Sequence, residues 1–144
     1  MANTTGDKNT AVGEGALSAN LTGHLNVAVG HSALRANTTG GLNTALGTSA
    51  LRFNITGANN TAVGDGSLYN NLTGDLNTAV GRASMISNID GYNNSALGEA
   101  ALYYNTSGYE NVAMGKHTMF GNTTGFENTA VGLEALWRNT TGTR

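Results

Sequence analysis

Asparagine stands at residues 9, 26, 43, 60, 77, 94, 111 and 128, an interval of 17 each time. No insertion or deletion interrupts the series. A period this strict is the mark of a repeat architecture, in which each unit packs on its neighbours. Residues 9–144 are therefore eight tandem units forming one solenoid domain, and residues 1–8 are a partial N-terminal coil. The second unit reads NVAVGHSALRANTTGGL and the sixth NSALGEAALYYNTSGYE. Five positions of the unit are the same in all eight copies: Asn at 1, Ala at 3, Gly at 5, Asn at 12 and Gly at 15. Position 4 is Val, Leu or Met, and position 9 is Leu or Met.

Seventeen residues are too few for the helical repeats, which need more than about 30. They fit one coil of an all-β parallel solenoid, a β-roll with two short strands and two turns per coil. NTAVG alternates polar and apolar residues as a pleated strand does, and the ALxx segment is the expected second strand. Val at position 4 and Leu at position 9 would then share the core. The N-x-T-G stretch is turn chemistry. Stacked coils would set the invariant Asn residues above one another, so that their amides form ladders along the axis. A rival reading makes LEALWRN one helical turn in a compressed leucine-rich coil. It leaves about six residues for the helix, too few to be stable alone.

If position 4 faces the core, the invariant alanines face away from it. Ala11, Ala28, Ala45, Ala62, Ala79, Ala96, Ala113 and Ala130 would form a smooth outer column. An exposed position of no consequence would drift to Ser, Lys or Thr, and this one does not. The column is thus the expected subunit interface. Neither end of the array diverges into a polar cap, which solenoids ordinarily need. That suggests a piece of a longer array, or coils that stack end to end with copies of the chain.

Composition excludes more than it identifies. Charged residues make up 11% and the net charge is −2, so no basic stripe is present to hold nucleic acid. There is no cysteine, hence neither a disulfide framework nor a thiolate metal site. No apolar run approaches the ~20 residues of a membrane span, and MANTTGDK has no signal-peptide character. His24, His31 and His117 fall at three different unit positions, without metal-ligand spacing. No nucleophile elbow, phosphate loop or zinc-protease motif occurs. The expectation is a protein that is not an enzyme and takes no cofactor.

All nine aromatic residues lie beyond residue 52. Position 10 runs Tyr69, Ile86, Tyr103, Phe120, Trp137, and position 16 runs Tyr92, Tyr109, Phe126. Repetition in successive coils would make each column an aromatic ridge, and exposed apolar ridges mark contact surfaces. Either ridge could hold a glycan or protein receptor on flat ring faces, or pack against a neighbouring subunit. An ice-binding face would want two Thr columns, whereas position 2 offers one, interrupted by Val27, Ser95 and Val112.

ENTAVGLEAL and NNTAVGDGSL resemble the head repeats of YadA-like trimeric autotransporter adhesins. The longer phrase N-T-A-x-G-x-x-A-L-x-x-N-T-T-G is similar to repeat arrays of phage tail-fibre and bacterial surface proteins. The resemblance implies a left-handed β-roll assembled as a homotrimer, acting extracellularly, on the cell surface or on a virion, and binding host surfaces. The 17-residue unit is longer than the adhesin-head coil. The expected function is a structural and attachment module. The alternatives are a subunit of an extracellular filament grown by end-to-end stacking, and a glycan-binding solenoid.

Overall fold

The computed structural model describes residues 2–143. Each unit contributes one three-residue strand at positions 2–4. The strands are β1 (Thr10–Val12), β2 (Val27–Val29), β3 (Thr44–Leu46), β4 (Thr61–Val63), β5 (Thr78–Val80), β6 (Ser95–Leu97), β7 (Val112–Met114) and β8 (Thr129–Val131). They form a single parallel sheet in the order β1 to β8. Register follows the repeat: Thr10 pairs with Val27, Ala11 with Ala28 and Val12 with Val29, and so on to β8. The chain is thus an all-β parallel solenoid that advances one strand per 17 residues.

The core is the reverse of expectation on one point. Ala28, Ala45, Ala62, Ala79, Ala96, Ala113 and Ala130 are 0–5% exposed, and Ala11 of the first unit packs partly buried against them. They join Leu34, Leu51, Leu68, Met85, Leu102 and Met119, all at 0%, in one cluster. Position 4 points outward instead, with Val12, Leu46, Leu97, Met114 and Val131 at 38–68% exposure. Ala11 and its seven equivalents therefore cannot be a subunit interface, because their methyl groups lie inside their own coil. The invariance has a different cause: the interior is narrow and already holds a Leu or Met from position 9, so position 3 admits a methyl group and nothing larger.

Among the described residues the segment expected to be a second strand is not one. Residues at position 9 from Leu17 to Leu136 all take φ between 48° and 52°, and position 7 is left-handed as well. Two left-handed residues break the extended backbone that a ladder strand needs, so the segment is a run of turns. It is nonetheless bonded between coils, with Leu34 N–H donating to Ala50 O (3.0 Å) and Ala36 N–H to Arg52 O (2.9 Å). Each left-handed Leu costs about 1 kcal/mol or more, offset by burying its side chain and by these inter-coil bonds.

The two invariant glycines serve different needs. Gly64, at position 5, has φ +127°, and a Cβ there would sit 2.7 Å from the carbonyl of Gly81 in the next coil. Gly74, at position 15, is not in the left-handed region, but a Cβ would collide with Gly91 O and meet Asn71 Oδ1 at 2.5 Å. Gly64→Ala thus strains the backbone and pushes two coils apart together. It should lower the unfolding free energy by about 2–3 kcal/mol, measured by urea denaturation. A change under about 0.5 kcal/mol would mean the coil spacing is slack.

Two asparagine ladders run the length of the solenoid. At position 12, Nδ2 of each Asn donates to Oδ1 of the Asn one coil before, at 2.7–2.9 Å through the buried steps from Asn37 to Asn122. The same Nδ2 donates to the carbonyl three residues on, as Asn71 does to Gly74 at 2.9 Å. At position 1, Oδ1 accepts the backbone N–H of the next coil's Asn at 2.9–3.1 Å. Its Nδ2 donates to a glycine carbonyl 14 residues on, at 2.7–2.9 Å. A buried primary amide is tolerable only when its donors and acceptor are used, and here the stacking of identical residues uses them. Asp offers no donor when ionised, and none occupies either column.

Candidate functional site

What varies along the solenoid is confined to the bends and the outward strand positions. These side chains repeat one coil apart, so neighbours in a column touch across a rise of ~4.8 Å. Column composition therefore decides what each surface can do.

Position 16 forms the more regular aromatic stack. Tyr92 and Tyr109 are parallel to within 4° with ring centroids 4.9 Å apart, and Tyr109 and Phe126 to within 6° at 4.7 Å. Each ring covers its neighbour's face, so this ridge offers solvent its ring edges and phenol oxygens rather than a flat platform. Loss of solvent within the stack, with smaller contributions from Tyr92, Glu127 and Glu110, holds the Tyr109 phenol above its ordinary value.

Position 10 divides into two clusters, because Ile86 stands between Tyr69 and Tyr103. In the first, Phe53 meets Tyr69 edge-on at 5.0 Å. In the second, Tyr103 stacks on Phe120 at 4.9 Å, and Phe120 is tilted by 42° against Trp137 at 5.3 Å. Tyr104 packs its edge on Tyr103 and Phe120, and His117 lies edge-on to Phe120 and Trp137. Here Trp137 is 37% exposed and Tyr104 49%.

Beside the second cluster runs a charged column at position 6. Arg82 and Lys116 both bond Glu99, the latter at 3.2 Å. The hydrogen bond from Arg82, then that from Lys116, holds the Glu99 carboxyl below the usual carboxylate range. Between the charged column and the rings lies an open groove of about 380 Å³, floored by Gly66, Ala83 and Ala100. On its polar wall Arg82 and Glu99 are paired with each other.

The third surface is the outer face of the sheet, where position 4 lines up Val12, Val29, Leu46, Val63, Val80, Leu97, Met114 and Val131. Sequence reasoning placed these side chains in the core. The signal that could have placed them outside is their variation among Val, Leu and Met beside an invariant Ala. His24, His31 and His117 remain apart on three columns, and among the described residues no group of three His, Asp or Glu is placed to hold a metal ion. Compared with family models, curated proteins and solved structures, the chain matches none.

Proposed function

We propose that this chain is a structural and attachment segment of a fibre, of the kind found in phage tail fibres and bacterial surface adhesins. Its copies assemble side by side as a homotrimer, outside the cell or on a virion, and no catalysis is involved. The observation that carries the reading is the outer face of the sheet. Eight apolar side chains stand in one straight column, with Val12, Leu97 and Val131 at 57%, 49% and 68% exposure. The column is ~34 Å long, counting seven intervals of ~4.8 Å. A continuous apolar stripe of this kind on a rigid rod is covered most simply by the same stripe on another copy. The same reading takes the coil as left-handed and the turn segment at positions 8–12 as the counterpart of the adhesins' second strand.

Light scattering on a size-exclusion column tests the assembly. The expected mass is near three chains and independent of concentration, and the double variant Val63→Glu/Leu97→Glu should run as a single chain that keeps its fold. A wild-type monomer at every concentration would end the trimer reading. A different outcome of the same measurement is a filament of coils stacked end to end. Mass that climbs with concentration, with rods in the same fractions, would select it.

A further inference from the structure

Position 10 carries Arg35 and Arg52 in adjacent coils before it turns aromatic at Tyr69. Among the described residues the ion pairs are Arg82–Glu99, Lys116–Glu99 and His117–Glu134. Neither Arg35 nor Arg52 thus has a carboxylate partner, in contrast with the position-6 column, where signs alternate. Two guanidinium groups on one ridge, one coil apart, repel each other.

Arg52 is also held in place. Its Nη1 donates to Tyr69 Oη at 3.2 Å. Its Cζ lies 5.3 Å from the centre of the Phe53 ring and 5.7 Å from that of Tyr69, which is cation–π distance. Its Nε is shielded from solvent and has no hydrogen-bond partner. Shielded from water, Nε is out of a ligand's reach as well, so an anion would meet the Nη groups, and a pre-positioned guanidinium fork loses little freedom when it arrives. Between the two arginines lies a cleft of about 340 Å³ lined by Ser18, Ala19, Arg35, Ala36, Arg52 and Phe53. It therefore combines two cations lacking counter-ions, a hydroxyl, an apolar floor of two methyl groups and an aromatic wall.

We infer that this cleft binds an acidic saccharide, whose carboxylate or sulfate bridges Arg35 and Arg52 while its sugar ring lies against Phe53 and the alanine floor. Planar or tetrahedral oxyanions accept paired N–H bonds from guanidinium forks. The C–H face of a pyranose suits an aromatic wall. A bare inorganic anion would use the cations and leave the ring and the alanines without a purpose. The inference rests on the attachment reading for its biological sense and supplies that reading with a ligand class. It makes no use of the sheet's outer face.

The test is isothermal titration calorimetry with tetragalacturonate, its methyl ester, a heparin-derived tetrasaccharide and inorganic sulfate. The acidic oligosaccharides should bind saturably and the methyl ester should not. A response to galacturonate alone identifies a carboxylate ligand, and a response to the heparin fragment alone a sulfate ligand; either supports the site. Arg35→Gln and Arg52→Gln should each weaken binding at least tenfold, with Arg138→Gln unchanged. Arg35 is exposed, so its variant tests the site without straining the fold. Phe53→Ala should weaken saccharide binding more than it weakens inorganic sulfate binding. No saturable binding by the wild type, equal binding of the methyl ester, or unaltered affinity in Arg35→Gln would overturn the site. Unaltered saccharide binding by Phe53→Ala would reduce it to an anion site and overturn the saccharide. The scattering mass of Arg35→Gln should equal that of the wild type, so failure here and failure of the fibre reading are separable.

Discussion

Asn71→Ala is expected to lower the unfolding free energy by about 3–6 kcal/mol, although it removes only a small polar side chain. Asn71 is fully buried in the middle of the position-12 ladder. Its Nδ2 donates to Asn54 Oδ1 at 2.8 Å and to Gly74 O at 2.9 Å, and its Oδ1 accepts from Asn88 Nδ2 at 2.7 Å. Alanine leaves the Asn54 oxygen and one Asn88 N–H facing a dry gap, with Gly74 O keeping its bond from Asn60 Nδ2. Each buried group stranded in this way costs about 1–3 kcal/mol, and the lost packing adds to it. The companion variant Asn71→Asp keeps the shape and loses the donor. At neutral pH it sets carboxylate oxygens against Asn54 Oδ1 and Gly74 O, so it should destabilise the fold at least as much as Ala does. Urea denaturation followed by circular dichroism measures both. An Asp variant within 1 kcal/mol of the wild type would show that the ladder fills space and does not bind coils together.

The larger effect belongs to the strand interior. Ala62→Glu should abolish the native circular dichroism spectrum at room temperature, whereas Val63→Glu, one residue along, should leave the monomer's spectrum and unfolding midpoint nearly unchanged. Ala62 is 0% exposed in the core cluster. A carboxylate there has no partner, and the penalty for an uncompensated buried ion is several kcal/mol, a large share of the 5–15 kcal/mol that ordinary domains possess. Overpacking adds to it, since the site accommodates only a methyl group. Val63 projects from the opposite face of the same strand, where a charged group stays hydrated. Equal loss of structure in both variants would mean that position 4 also faces a core, and the outer face would no longer be available for assembly. Because each coil touches only its neighbours, the damage from Ala62→Glu should spread outward from β4.

Much of the architecture is contained in the 17-residue spacing. The number of coils, the one-to-one register from Thr10 to Thr129 and the parallel sheet follow once every unit must occupy the same place in its own coil. The asparagine ladders are legible for the same reason: stacking identical amides is what lets each satisfy the next, and an ionised Asp cannot take part. Charge and composition bore on the outward surfaces only by showing which columns vary.

Tertiary structure decided the rest. The alternation in T-A-V is symmetric to a shift of one residue, so it allows either Ala or Val to face inward. The width of the coil interior, already filled by Leu51 and Leu68 from the turn segment, settles it for alanine. That turn segment has the composition of a strand, and only left-handed backbone at positions 7 and 9 turns its Leu side chains into the core. The columns of Tyr and Phe were visible from spacing, but whether they show faces or edges depends on ring tilt, which stacking at 4.7–4.9 Å determines. Arg35 and Arg52 share a column by arithmetic. That they gather beside Phe53 with no carboxylate to neutralise them depends on which bends the coil brings together, because charge balance in a stacked array is set between coils.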